Sequence, residues 1–497
     1  MAGTPFWRIL TEQNIRTTVI RWPVTFPPEK LNGRMLSGLG VVDIKGLLGK
    51  YSFYCEDEEG VDGAGNTILV EIENGCIETY VSGPLVAKGK GLSDVKAPMR
   101  ITIKEENVKI TVAGGHYSFK EGAWSEVMRA RFKIGFLRNV SGIFRVYVVS
   151  TKPRFRMYMT SVQIDPEDPV LDVTYPREYS KELAKHIGLF YTLGMPEETK
   201  ALTEGRIDDY VFLEQIRHVE EERKRMFFYE LNRFRNGVYA FVFDSGDRLQ
   251  HIFWSNKVLD GGEGLEIAPE IEKYYVEKDL MVGEVLEKID EDTKLIVLSD
   301  HGFSSFERKV NMNNWLCEEG YIKRKTGGGS LLRFVDWEGT KAYALGFTSI
   351  YLNLKGREGK GVVERGDKDG LIDELIARMG EFMDPENGKP VFTNIYKGDD
   401  VYCGEYAHLA PDIVLGFSEG FRMAWRSGIG ELDRKTVSDN VKKWKGDHLI
   451  DRTHVPGVVF TNFDIKRNKP EIMDVAPTVL ELLGLDIPEN MDGKAIC

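Results

Sequence analysis

The stretch "KLIVLSDHGFSSF", residues 294–306, joins an apolar strand directly to two polar side chains. Residues 295–298 are aliphatic and suit a buried strand, which stops at Asp300, His301 and Gly302. Turn chemistry alone explains such an ending. However, open α/β sheets bind ligands at the carboxyl ends of their strands, where an adjacent Asp and His can converge on one cation. The choice depends on whether other strands end in the same way.

A second apolar strand also ends in carboxylates and an imidazole. In "YAFVFDSGDRLQHIFW", residues 239–254, the apolar run is followed by Asp244, Asp247 and His251. If a helix begins near Asp247, the spacing of four places Asp247 and His251 on one helix face. Such a pair is a half-site for Zn²⁺ or another borderline metal. The alternative is an N-cap aspartate followed by a partly buried histidine.

The third polar cluster lies near the end of the chain. In "WKGDHLIDRTHVPGVVFTN", residues 444–462, His448 and His454 precede an apolar strand. A polar loop with two ordinary histidines is the alternative, and at this point either histidine could be a ligand. Taken together, the three clusters predict a shared metal site at the ends of strands.

The order of the predicted elements indicates an α/β fold. Helical patterns alternate with apolar strands over residues 1–50 and 176–497, which predicts a largely parallel central sheet flanked by helices. Residues 51–175 are instead rich in alternating β-branched residues separated by Glu-Asn-Gly and Gly-Gly turns, as in "NTILVEIENGCIETYVSG". This pattern predicts an antiparallel β-rich insertion. The predicted organisation is therefore a first core part at 1–50, the β module at 51–175 and the main core at 176–497.

Composition limits the partners and the compartment. The net charge is −12, from 66 basic and 78 acidic residues, which argues against a polymeric nucleic acid as partner. The apolar runs have strand length, so we expect no membrane partner, and the start has no signal-peptide pattern. Five scattered cysteines without a CxxC pair favour a reducing compartment. We therefore expect a cytoplasmic protein.

These motifs, taken in order, resemble the alkaline phosphatase superfamily. The D-x-x-x-H pair, "SDHGF", "GDH" before "VPGVVFTN" and the closing "MDVAPTVLELLGLDIPENMDGK" are most similar to its type I phosphodiesterase/nucleotide pyrophosphatase-like branch. The resemblance covers residues 1–50 and 176–497. It implies an alkaline-phosphatase-like sandwich and a metal-dependent phosphoric-ester hydrolase acting on a small phosphate-ester or nucleotide-like substrate.

The resemblance also implies a two-metal site. Asp247, His251 and a C-terminal histidine would hold one divalent ion, and Asp300 with His301 would hold the second. His448 is preferred over His454 because the Gly-x-His loop of the family matches residues 446–448. Carboxylate and imidazole ligands without cysteine suit Zn²⁺, with Mn²⁺ as the alternative.

One part of the family pattern is not found. Relatives begin with a strand that ends in a ligand Asp, followed by a Ser or Thr nucleophile, whereas "MAGTPFWRILTEQNIRTTVIRWPVTFPPE" resembles the segment after them. We therefore expect an N-terminally shortened core without an identified nucleophile. A non-catalytic metal- or phosphate-binding protein remains an alternative, as does an oligomer or a subunit completed by another fragment. A metal-dependent phosphomutase is a weaker alternative.

Overall fold

The computed structural model describes residues 3–57, 65–89, 91–135, 138–255, 268–325 and 335–497. These residues form two compact units. The first unit is Thr4–Arg248 with Leu483–Asp486, and the second is mainly Leu249–Leu482 with Ile487–Cys497. The sequence predicts a division of the chain at residues 50 and 175 into a first core part, a β module and a main core. That division stays a prediction.

The first unit contains most of the strands. Its helices are α1 Phe6–Glu12, α2 Tyr179–Ile187, α3 Thr199–Thr203 and α4 Asp209–Leu231. Its strands are β1 Thr17–Trp22, β2 Gly33–Ser37, β3 Ser52–Cys55, β4 Asn66–Leu69, β5 Cys76–Lys88, β6 Gly91–Lys104, β7 Asn107–Val112, β8 Gly115–Lys120, β9 Met128–Lys133, β10 Asn139–Phe144, β11 Val146–Ser150, β12 Arg156–Met159, β13 Gln163–Ile164, β14 Thr174–Tyr175 and β15 Val238–Phe241.

The second unit carries more of the short elements. Helix α5, Ser245–Phe253, begins four residues before Leu249, at which the main segment of this unit starts. The further helices are α6 Pro269–Lys288, α7 Met312–Glu318, α8 Lys368–Gly380, α9 Gly398–Val401, α10 Trp425–Gly428 and α11 Val475–Leu482. The strands are β16 Ile296–Leu298, β17 Ser304–Val310, β18 Ala342–Ala344, β19 Ser349–Leu352, β20 Phe392–Lys397, β21 Ile413–Phe417, β22 Gly420–Met423, β23 Val437–Asp439, β24 Gly446–Asp447 and β25 Val459–Thr461.

The fold is mixed α/β, as predicted, but the parallel pairing is limited. In the first unit, β1 lies between β2 and β15 and is parallel to both, while β14 pairs antiparallel with β2. The inner strands β1 and β2 carry buried apolar residues at their centres, such as Val19 and Ile20 in β1. This four-stranded sheet is the part of the structure that matches the predicted parallel core.

The strand that carries the Asp-His pair does not extend this parallel sheet. Within the described residues, β16 pairs with β25 alone, and the two run antiparallel. The chain enters β25 beside the end at which β16 stops, because Leu298 faces Val459. It must therefore run back along β16. In the described residues, parallel pairing is thus found among β2, β1 and β15 and, in other sheets, between β3 and β4 and between β17 and β22.

The β-rich module forms antiparallel hairpins where the sequence predicted them. Strands β5 to β8 form a sheet in chain order, and each neighbouring pair is antiparallel. Ala113 and Gly114, between β7 and β8, both have positive φ, at 50° and 81°. Two consecutive residues with positive φ form a two-residue hairpin turn whose twist matches that of the flanking strands. Among the described residues, no helix combines the length and apolar character needed to cross a membrane.

Candidate metal centre

Helix α5 begins where the sequence predicted and carries two of the proposed ligands. It starts at Ser245, four residues after the end of β15, so Asp247 and His251 lie one turn apart on one face. The start of the helix is fixed by a buried hydroxyl. Ser245 donates to Glu197 Oε1 at 2.5 Å and accepts from Arg223 Nη1 at 2.6 Å.

Asp244, the first carboxylate after β15, is used differently. Its carboxylate pairs with the guanidinium of Arg223 and lies 3.5 Å from that of Arg21. Both arginines are almost fully buried. Two buried cations need nearby anions, because an unpaired buried charge is costly. Asp244 therefore acts as their counter-ion at the start of α5.

His448 lies beside the two proposed ligands of α5. One side-chain ligand atom from each of Asp247, His251 and His448 lies within 4.8 Å of the other two. In a tetrahedral zinc site, ligand atoms about 2.1 Å from the ion lie roughly 3.4 Å apart. One carboxylate and two imidazoles at this separation therefore fit a divalent ion after a small contraction. Within the described chain, no other group of three His, Cys, Asp or Glu residues has this closeness.

Hydrogen bonding and stacking orient His251. Its Nδ1 lies 2.8 Å from the carbonyl oxygen of Gly446. Because a carbonyl only accepts, Nδ1 must carry the proton, and Nε2 keeps its lone pair for an ion. The ring also stacks on Trp444, with centroids 3.8 Å apart and planes at 28°. The backbone N–H of Lys445 donates to the carbonyl of His251 at 2.7 Å.

Asp447 holds the segment that carries His448. It is fully buried, and its Oδ1 accepts the backbone N–H groups of His448 and Leu449 at 2.9 and 3.0 Å. Its Oδ2 accepts from Trp444 Nε1 at 2.8 Å and lies 2.8 Å from Arg422 Nε. Burial by itself would raise the pKa of Asp447, but Arg422, the nearby His251 and the hydrogen bonds from Leu449 and Trp444 together outweigh it and hold this pKa below its usual value. Asp447 is therefore ionised and links Arg422, Trp444 and the backbone of His448.

The second predicted pair, Asp300 and His301, lies beside this cluster but outside it. His301 stacks on His448 with centroids 3.6 Å apart and planes at 14°. Its Nδ1 lies 3.0 Å from the carbonyl oxygen of Gly302, and its Nε2 lies 3.6 Å from Asp300 Oδ1. The side chain of Asp300 is 75% exposed. The structure thus brings the pair next to His448, with fewer ligands than the first cluster.

The alternative ligand, His454, lies elsewhere. It sits in a short 3₁₀ turn, and its Nε2 is 2.7 Å from the hydroxyl of Thr393 on β20. The structure therefore favours His448 over His454. Sequence reasoning did not identify Trp444, Asp447 or Arg422 as parts of the centre. The first two lie in the quoted stretch 444–462, but only their contacts reveal what they do.

Comparison with known proteins gives one family match. The model of the family described as Type I phosphodiesterase / nucleotide pyrophosphatase matches residues 110–446, which is more than half of the 497 residues. The match contains Asp247, His251, Asp300 and His301 and ends two residues before His448. No curated protein matches the chain.

Proposed function

The chain belongs to the type I phosphodiesterase/nucleotide pyrophosphatase family, and on this premise we propose that it is a metal-dependent phosphoric-ester hydrolase with a two-metal site. Membership of this family identifies the chain as a phosphoester-cleaving enzyme. Its dependence on metal ions is our inference. The observation that carries it is the approach of Asp247, His251 and His448 to within 4.8 Å of one another. Chance rarely places one carboxylate and two imidazoles so close without a ligand to hold.

In this proposal, the first divalent ion is held by Asp247, His251 and His448. The second is held by Asp300 and His301. Oxygen and nitrogen ligands without thiolate suit Zn²⁺, and Mn²⁺ is the alternative. Two such ions would neutralise the phosphoryl oxygens and lower the pKa of an attacking oxygen.

The residues of the chain prepare this site in two ways. The carbonyl groups of Gly446 and Gly302 hold the Nδ1 protons of His251 and His301, so each ring offers Nε2 without reorganising. Trp444 covers one face of His251 and limits the access of water there. The proposed substrate is a small phosphate ester or a nucleotide-like molecule, because family members act on such compounds. The Ser or Thr nucleophile stays unassigned.

A second candidate is a metal-binding protein that has no turnover by itself. The observation that favours it is the second pair, since Asp300 is largely exposed and pairs only with His301 in the described residues. Two ligands hold an ion weakly, so another chain or fragment would have to complete that site.

Metal content and hydrolysis, measured on the same samples, test both candidates. The purified chain should bind between one and two equivalents of Zn²⁺ and hydrolyse bis-p-nitrophenyl phosphate faster than p-nitrophenyl phosphate. Replacing His251 with Ala should lower metal affinity roughly 10- to 100-fold or more, the range seen on losing even a supporting partner of a ligand. His454→Ala is the matched control, because His454 bonds Thr393 instead.

The outcomes separate the two candidates. Metal binding with turnover, both lost in His251→Ala, supports the hydrolase. Metal binding without turnover supports the second candidate. Equal metal content in the wild type, His251→Ala and His454→Ala would contradict both.

A further inference from the structure

The sheet formed by β5 to β8 has one buried face and one open face. Side chains alternate across a strand, so every second residue faces the same side. The inner face packs in the core of the first unit through Ile77, Met99, Ile101, Val108 and Ile110. The other face is open over most of its length, except at the buried Ser82, and its strands have up to 14 residues, or roughly 45 Å at the usual rise per residue.

The open face is strongly basic, in contrast to the acidic chain. Its cations are Lys96, Arg100, Lys104, Lys109 and Lys120, all of them exposed. The strand register places them on neighbouring rows, since Thr102 faces Lys109, and Lys104 and Lys120 both pair with Asn107. The opposing charges on these rows are Glu78, which lies 3.2 Å from Arg100, and Asp94, which lies two residues from Lys96 and pairs with Lys45 at 2.9 Å. Two further acids, Glu105 and Glu106, lie in the turn at one end.

Three of these cations form no ion pair in the part of the chain that the structure describes. They are Lys104, Lys109 and Lys120, although Glu105 and Glu106 follow Lys104 in the chain. With a net charge of −12, the chain as a whole repels anions. A basic face of this size therefore calls for an anionic partner that approaches from one direction.

One end of the same face is apolar. Strands β5 and β6 continue past the sheet as a two-stranded hairpin, on which Leu85 is 41% and Leu92 is 70% exposed. Leu92 pairs with Ala87 across the hairpin. Because Leu92 and Lys96 are four residues apart on one strand, both point to the basic side. Exposed leucines beside lysines on a flat surface are typical of peripheral attachment to a membrane.

We propose that this face docks the protein on an anionic phospholipid bilayer. Acidic headgroups would contact the lysines, and the leucines of the hairpin would enter the boundary of the acyl layer. A nucleic acid would use the cations but leave Leu85 and Leu92 in water. It would also find no free stacking ring at Tyr80, because the ammonium of Lys96 lies 3.6 Å above that ring. The proposal is independent of the hydrolase function and revises the expectation of no membrane partner, which rested on the lack of a spanning segment.

Vesicle flotation of the full chain tests the proposal. The chain should float with vesicles of phosphatidylcholine containing 30% phosphatidylserine at low salt and should not float with phosphatidylcholine alone. Raising the salt to about 0.5 M should release it, since screening shortens the reach of the cations. Each basic residue near an anionic surface contributes roughly a factor of five, so Lys104→Glu/Lys109→Glu/Lys120→Glu should lower binding at least a hundredfold. Leu85→Ser/Leu92→Ser should lower it at least tenfold.

A matched variant controls for net charge. Lys341, Lys360 and Lys389 are exposed residues of the second unit, and replacing all three with Glu changes the charge equally. This variant should bind vesicles within threefold of the wild type. The proposal is overturned if wild-type chain does not distinguish the two vesicle types, or if both triple variants lose binding equally. It is also overturned if a single-stranded oligonucleotide binds the face while anionic vesicles do not.

Discussion

Asp447→Asn is the change that best tests how the metal centre is held. The carboxylate of Asp447 is buried, pairs with Arg422 and accepts from Trp444 and from the backbone of His448. Asparagine keeps the size but removes the charge and one acceptor. Removing one partner of a buried ion pair costs about 3–5 kcal/mol, because the other charge stays buried without compensation. We expect this loss in the free energy of unfolding.

The chain offers a matched control in the same unit. Asp384 is equally buried, and both its oxygens lie 2.7 Å from the guanidinium nitrogens of Arg308. Arg308 also contacts Glu386 and Asp439, so Asp384→Asn leaves it partly compensated. The expected cost there is about 1–3 kcal/mol. Neither Asp384 nor Arg308 touches a proposed metal ligand.

Two measurements separate stability from the support of the ligands. Urea unfolding followed by circular dichroism, in chelator, gives the free energy of unfolding without metal. Equilibrium dialysis against Zn²⁺ then gives metal affinity for each folded variant. Asp447→Asn should lower the affinity at least tenfold, because His448 loses its backbone anchor, whereas Asp384→Asn should not. Our account of Asp447 would be wrong if the two variants bound Zn²⁺ equally, or if Asp447→Asn lost less than about 1 kcal/mol.

Two further changes have outcomes that the structure specifies. A Cβ at Gly446 would lie 2.6 Å from the carbonyl oxygen of Gln250 and 2.7 Å from Cβ of Trp254. Gly446→Ala should therefore push β24 away from α5 and reduce bound Zn²⁺. Unchanged zinc content would refute this. Burial raises the pKa of Glu198 to about 7, above its ordinary 4.5, so the folded state loses stability as pH rises through this range. Glu198→Gln should therefore match the wild type near pH 4 and exceed it at pH 8 by up to about 3 kcal/mol in urea unfolding, and parallel pH profiles would contradict this.

The parts of the centre that depend on local spacing could be predicted from the sequence. Asp247 and His251 are four residues apart, and a helix that starts after β15 must bring them to one face. Asp300 and His301 follow an apolar run, and the structure places them directly after β16. These predictions needed only the period of a helix and the length of a strand, both of which are properties of the chain near each residue.

The supporting residues could not be predicted, because their roles arise from packing between distant segments. In the sequence, Trp444 is simply a residue before a Gly-x-His loop, and nothing there indicates that its ring stacks on His251. Arg422 lies 25 residues before Asp447 in the chain, and their contact requires β17 to lie between β22 and β24. The antiparallel pairing of β25 with β16 could not be predicted for a similar reason, since apolar composition does not reveal the end at which a strand enters a sheet.

The choice between His448 and His454 as the proposed ligand depends on one strand pairing. The sequence places both histidines before β25, at distances that a flexible loop could span. In the structure, β24 pairs with β17 so that Ser304 faces Asp447. Continued by one residue, this register places residue 448 opposite residue 303, and the ring of His448 stacks on that of the nearby His301. A shift of this register by one residue would turn Asp447 out of the core and move the ring of His448 to the opposite side. The two-residue strand β24 therefore decides which histidine lies beside Asp247 and His251, and Asp447, bonded to the backbone beyond it, keeps that register in place.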